Sequence, residues 1–152
     1  MLAFKRGIAD WTMFVYGKVK GYYSPSNNLY LLGIYDGTLF QGTDKLAMTV
    51  VTDVLTLMEA KRGANFIFEG DRLFCGKNFD NFQKYGELLI VSLFSENLVR
   101  RLNSRGNVQS LIILQRRITK IKNIKSKYKV LEYQNDTEEQ KNATVRAFDL
   151  FL

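Results

Sequence analysis

Short apolar runs alternate with helical spacing of apolar residues along most of the chain. The run NLYLLGIYDG (28–37) stops at a polar Asp-Gly pair, which predicts a buried strand that ends in a turn. Residues 42–63 carry apolar side chains at three- and four-residue spacing, which predicts a helix that Thr43 or Asp44 caps. The next run, ANFIFEG (64–70), predicts a short, aromatic-rich strand.

The second half of the chain continues this alternation. The run ELLIVSLF (87–94) is the most apolar of the chain, which is typical of a central strand buried on both faces. In the last helix, Thr137 with Glu139 or Gln140 provides a capping pattern. We predict helices over 76–86, 111–124 and 137–152, and a last strand over 128–135.

This order of elements predicts an α/β protein, a three-layer sandwich with a mostly parallel sheet of four or five strands. No repeat or linker divides the chain, so we expect a single domain over residues 1–152. Ligands of such sheets bind at the carboxyl ends of the strands, which places Asp36 and the EGDR group (69–72) at one rim. Residues 1–28 are an atypical N-terminal segment, for which we predict a β-hairpin or edge strand.

Composition removes several kinds of chemistry. The 152 residues include no histidine and a single cysteine, Cys75. Ser-His and Cys-His nucleophile pairs are therefore excluded, and we expect no zinc, no haem and no disulfide. No apolar run approaches the roughly 18 residues that a membrane helix needs, and no signal peptide is evident. We expect a cytoplasmic protein, in the host cytoplasm if viral, with no membrane partner.

Positive charge is concentrated in one part of the chain. The net charge is +7, and no acidic residue lies between Glu96 and Glu132. A field of one sign attracts polyanions, so we expect nucleotide or nucleic-acid phosphates as partners. The cations of this stretch are Arg100, Arg101, Arg105, Arg116, Arg117, Lys120, Lys122, Lys125, Lys127 and Lys129.

The segment FIFEGDRLF (66–74) is the main candidate site. Glu69 and Asp71 leave the end of a predicted strand, where a carboxylate can orient Mg²⁺ or accept a proton. Arg72 can hold a phosphate with two parallel hydrogen bonds. The alternative is a surface ion-pair cluster. Asp44 is a further candidate, for which the alternative is ordinary compensation of the helix dipole.

The basic segment (95–127) has three interpretations. Two helices folded back on each other would direct their arginines and Lys120 into one phosphate clamp, like a lid. The same cations could instead neutralise the backbone of a nucleic acid without reading bases. The third interpretation is a solvated basic helix.

The order of the motifs between residues 28 and 136 resembles P-loop kinases of the nucleoside-monophosphate-kinase type, most closely those of bacteriophages. The motifs are LYLLGIYDG, FQGTDKL, FIFEGDRLF, ELLIVSLF and the arginine-rich segment. The resemblance implies Mg²⁺ with a nucleotide as cofactor. It implies that Asp71 and Arg72 contact the acceptor, that Glu69 lies near Mg²⁺, and that Asp44 begins the acceptor-binding helix. The implied lid cations are Arg100, Arg101, Arg105 and Arg116.

The chain departs from these kinases because it lacks the motif G-x-x-x-x-G-K-[ST]. The segment GKVKGYYS (17–24) carries Tyr22 and Tyr23 where that motif requires Gly and Lys. We therefore expect an N-terminally reduced kinase relative that binds a phosphorylated ligand, such as a nucleotide or modified base, but is not a self-sufficient kinase. Either it has lost hydrolysis, or a separate N-terminal chain supplies the loop. The alternatives are a basic module that binds nucleic acid or a host protein, as a phage counter-defence inhibitor, and an unrelated small basic α/β protein.

Overall fold

A computed structural model describes residues 7–38, 41–71, 73–94 and 111–151, and the chain packs as two compact units, Met1–Glu87 and Leu88–Leu152. That the two units form one domain stays a prediction. The strands of the first unit are β1 (Thr12–Tyr16), β2 (Val19–Ser24), β3 (Leu29–Leu32) and β4 (Asn65–Phe68). Its helices are α1 (Val51–Ala60) and α2 (Gly76–Phe82), and two 3₁₀ turns, Thr43–Lys45 and Met48–Val50, precede α1.

The four strands of the first unit form a sheet in chain order that is mostly antiparallel. β1 pairs with β2 and β2 with β3 in antiparallel fashion, whereas β3 and β4 are parallel, with Leu29 opposite Asn65. The prediction of a mostly parallel sheet is therefore wrong, and the fold is a mixed α/β fold. The physical reason lies in residues 12–24, because strands joined by a two-residue turn can only be antiparallel. Only the longer connection through α1 gives a parallel pair.

The N-terminal segment contains a β-hairpin, which confirms that prediction. Its turn is Gly17-Lys18, and Gly17 has a φ of 55°, as the first residue of a two-residue hairpin turn often requires. The backbone N–H of Lys18 donates to Asp53 Oδ2 at 2.8 Å, in the first turn of α1. A contact distant in sequence therefore fixes the turn against the helix.

The core of the first unit centres on β3, in which all four side chains are buried. Helix α1 contributes Val54, Leu57 and Met58, and α2 contributes Phe79 and Phe82. The predicted helix over 42–63 is wrong in its first part, because α1 begins only at Val51. Neither predicted cap lies at its start.

The second unit contains β5 (Ile90–Phe94), α3 (Leu111–Lys125), β6 (Val130–Gln134) and α4 (Glu138–Phe151). β5 and β6 form a separate two-stranded parallel sheet. The prediction that β5 is a central strand buried on both faces is wrong, because Leu93 and Phe94 are exposed. None of the helices in the described ranges is long and apolar enough to cross a membrane.

The start of α4 follows the predicted capping pattern. The backbone N–H of Gln140 donates to Thr137 Oγ1 at 3.2 Å, and Gln140 Oε1 accepts from the backbone N–H of Thr137 at 3.0 Å. These reciprocal bonds form a capping box, with Gln140 rather than Glu139 as its second member.

Candidate functional site

Two loops interlock at the edge of the first sheet where β3 and β4 end. We call this edge the rim, and it comprises Gly42–Asp44 and Glu69–Asp71. The Glu69 carbonyl accepts from the backbone N–H of Thr43 at 2.8 Å and from Thr43 Oγ1 at 3.1 Å. The backbone N–H of Asp71 donates to Asp44 Oδ1 at 2.8 Å. The structure thus brings together Asp44, Glu69 and Asp71.

Two glycines make this interlock possible. Gly42 and Gly70 have φ values of 72° and 124°, which L side chains rarely adopt. A Cβ on Gly42 would lie 2.1 Å from the Glu69 carbonyl oxygen, and a Cβ on Gly70 would lie 2.6 Å from Asp44 Oδ1. At both positions the space that a side chain would need is filled by the opposite loop.

A fourth carboxylate, Asp36, lies in the chain segment that leads into the rim. Lys45 Nζ donates to Asp36 Oδ2, and Thr38 donates to Asp36 Oδ1 from its hydroxyl at 2.8 Å and from its backbone N–H at 3.2 Å. The hydrogen bond from Lys45, followed by those from Thr38, lowers the pKa of Asp36 to about 2. Asp36 therefore serves as the acceptor of a local network.

Tyr35 is a half-buried titratable group in the segment that leads into the rim. Its hydroxyl donates to the Leu32 carbonyl at 3.3 Å. Burial, with a further contribution from the negative charge of Asp44, raises the pKa of Tyr35 above its ordinary value. The phenol thus stays protonated and remains a donor.

These contacts hold the two loops of the rim together. Asp44 Oδ1 is engaged by the backbone, and Glu69 Oε2 is shielded from solvent. In the described ranges, no group of three or more His, Cys, Asp or Glu side chains could hold a metal ion. Arg72 lies outside the described residues.

The segment that resembles a degenerate phosphate loop (17–24) is part of the hairpin. Tyr22 and Tyr23 lie on β2, where the Tyr23 ring stacks on Tyr30 with centroids 4.4 Å apart. The Tyr22 ring lies 6.1 Å from that of Tyr35. Because β2 pairs with β1 on one side and with β3 on the other, it offers no run of free backbone N–H groups to a phosphate.

The remaining predicted cations divide between α3 and undescribed parts of the chain. Arg116, Arg117 and Lys120 lie on α3, in the second unit, whereas the rim belongs to the first. Arg116 is exposed, and Arg117 and Lys120 are half-buried. Outside the described residues lie Arg100, Arg101 and Arg105.

Helix α3 exposes its charge to solvent. No side chain described on it is buried, and its sequence contains no acidic residue. Lys125 pairs with Glu132, and the Lys127 ammonium lies 5.2 Å from the centroid of the Tyr128 ring. Arg116 and Lys122 are exposed and have no acidic partner among the residues described.

Sequence reasoning missed two exposed apolar features. Ile112 and Ile118 on α3 are 66% and 44% exposed, and Met13 and Val15 on β1 are 72% and 65% exposed. In α3 the signal was present, because these isoleucines are six residues apart and fall on different sides of a helix. Ile112 and Ile118 therefore do not share one face, whereas Ile118 and Ile121, three residues apart, do.

Comparison with protein-family models, with curated proteins and with solved structures finds no match for this chain.

Proposed function

We propose that the protein is a binding module that contacts nucleic-acid phosphates through α3. The observation that carries this proposal is that α3 presents several cations and no carboxylate, with no described side chain buried. A surface of one sign lowers the free energy of a bound polyanion through direct contacts and through release of its counterions.

The distribution of the cations favours a polymer over a single phosphate group. A helix of 15 residues is about 22 Å long, which is several nucleotides of backbone. Arg116 and Lys120 are four residues apart and lie on one side of α3, whereas Lys122 projects from the other side. Cations that diverge in this way can contact successive phosphates but do not converge on one.

A fluorescence-anisotropy titration tests this proposal with labelled single-stranded and duplex oligonucleotides of mixed sequence. We expect binding that weakens steeply between about 50 and 200 mM salt, because neutralising phosphates releases counterions. The double variant Arg116→Glu with Lys122→Glu should weaken binding by at least about tenfold and flatten the salt dependence.

The control variant is Lys61→Glu, which reverses the charge of an exposed lysine at the end of α1 in the other unit. It should leave the affinity within about threefold of the original, because Lys61 does not belong to the proposed surface on α3. Affinity that is insensitive to salt, or equal losses in both variants, would contradict a role of α3.

A phosphorylated small ligand at the rim is the second candidate. It is supported by the proximity of Asp44, Glu69 and Asp71, the residues that the resemblance to nucleoside-monophosphate kinases assigns to the acceptor side. Calorimetric titration with nucleoside mono- and triphosphates, with and without Mg²⁺, tests it. Absence of binding at millimolar concentration would rule this candidate out and leave the first untouched.

A further inference from the structure

The outer edge of β1 carries backbone groups that β2 does not use. In the sheet, the backbone N–H of Gly33 donates to the Lys20 carbonyl at 2.8 Å. The backbone N–H and C=O groups of Lys20 therefore point towards β3. Because these groups alternate in direction along a strand, the backbone groups of Gly21 point towards β1, where Gly21 is opposite Phe14. The backbone groups of Phe14 therefore bond to β2, and the backbone N–H and C=O groups of Met13 and Val15 point to the open edge.

The side chains at this edge are apolar and exposed. Met13 is 72% and Val15 is 65% exposed, and both project from one face of the sheet because they are two residues apart. Among the described residues β2 is the sole strand paired with β1. An apolar strand with unpaired backbone groups is a template for another strand, and β1 itself contains no charged residue or proline that would prevent such pairing.

We propose that β1 pairs antiparallel with β1 of a second copy of this chain. In one register Met13 lies opposite Val15 of the other copy. Each residue whose backbone groups point to the open edge then lies opposite another such residue. The two residues then exchange both backbone hydrogen bonds on each side of the two-fold axis. A shift by two residues pairs Met13 with Met13 and leaves Val15 opposite Trp11, outside the strand.

Charge at the ends of the strand also favours a second copy. In the same register Asp10, just before β1, lies opposite Lys18 of the other copy, just after it. Asp10 accepts from Ser24 Oγ at 2.6 Å and from the backbone N–H of Ser26 at 2.8 Å, which direct the carboxylate towards its own chain but leave its charge in place. Two-fold symmetry thus places opposite charges at both ends and two methionine–valine pairs between them.

The edge is short compared with stable interfaces of about 1,000 Å² or more, so we expect a weak dimer that forms at high micromolar concentration. Sedimentation velocity from micromolar to millimolar protein, without nucleic acid, measures this association. It is independent of the proposed function because mass alone is scored. A chain that stays monomeric at millimolar concentration would overturn the inference.

A pair of compensating variants tests the register. Met13→Glu places a carboxylate against Val15 of the other copy and should raise the dissociation constant of the dimer at least about tenfold. Addition of Val15→Lys to the same chain turns both contacts into opposite-charge pairs and should return the constant to within about threefold of the original.

The matched control is Met48→Glu, which changes a methionine that is 58% exposed but belongs to a 3₁₀ turn and not to β1. It should leave the association unchanged. Thermal unfolding of every variant should fall within about 4 °C of the original chain, because the changed side chains are largely exposed. A Met13→Glu chain that dimerises like the original, or a double variant no better than Met13→Glu alone, would overturn the proposed pairing.

Discussion

Asp53 and Lys18 are joined by a hydrogen bond across 35 positions of the chain: the carboxylate in the first turn of α1 accepts from the backbone N–H in the hairpin turn at 2.8 Å. The negative charge also lies at the helix N-terminus, where it is favourable. One side chain therefore fixes the hairpin and stabilises the helix start.

Loss of this contact should destabilise the first unit. We expect Asp53→Ala to lower the free energy of unfolding by about 1 kcal/mol, since the hydrogen bond is solvent-exposed and the backbone N–H of Lys18 can donate to water instead. Asp53→Asn keeps an acceptor oxygen but not the charge, so about half of that loss is expected. Urea unfolding followed by circular dichroism measures both. Equal losses would show that the charge, not the hydrogen bond, matters.

The interlock at the rim should depend on glycine at position 70. Gly70→Ala adds a Cβ that would lie 2.6 Å from Asp44 Oδ1, on a backbone with a φ of 124°. We expect a loss of about 2 kcal/mol or more, because both the contact and the dihedral angle become unfavourable. Gly86→Ala is the control, since nothing lies within 4 Å of its added Cβ. Similar unfolding midpoints for the two variants would contradict the described rim.

Asp36 should make stability depend on pH in the acid range. Its folded pKa is lowered from 3.8 to about 2, first by Lys45 and then by Thr38. A lowered folded pKa gives stability that is present above the unfolded value and is lost as the pH falls from about 4 towards about 2. Asp36→Asn should remove this part of the pH dependence. The unfolding midpoints of the original chain and the variant, compared between neutral and acid pH, should differ most at neutral pH.

The exposed isoleucines of α3 should contribute little to the folded chain by itself. Ile118 and Ile121 are 44% and 36% exposed, so replacement of either by serine should cost only about 1 kcal/mol. Leu57→Ala, at a side chain only 1% exposed, should cost about 3 kcal/mol. Thermal unfolding distinguishes these cases. A large loss from Ile118→Ser would mean that α3 is covered within the chain.

Element positions were more predictable from the sequence than strand partners. The apolar runs at 28–37 and 64–70 do contain β3 and β4, and a helical connection does make them parallel. Whether the sheet is mostly parallel or mostly antiparallel was not predictable, because this depends on whether residues 12–24 form one strand or two. Sheet membership of β5 was missed for a similar reason, since an apolar run indicates burial but not a neighbour.

At the rim, the clustering of residues was predictable and their contacts were not. Parallel strands end at one edge, so Asp36 and the EGDR group (69–72) were expected at one rim, and Asp44 was a separate candidate that the structure joins to Asp71. The atoms that they bind depend on the backbone conformations of Gly42 and Gly70. A sequence does not specify such loop geometry locally, because it is set by the close approach of two segments.

Helix α3 has no described buried side chain, and this has a consequence for how tightly it can bind. A helix of 15 residues whose described side chains are exposed or half-buried gains less from tertiary packing than a helix with a buried face, so its coil form lies closer in free energy. A partner of α3 would then supply part of the free energy that orders the helix, which would lower the observed affinity below the sum of its contacts. If α3 binds a nucleic acid as we propose, such ordering on the partner would also favour its fast release.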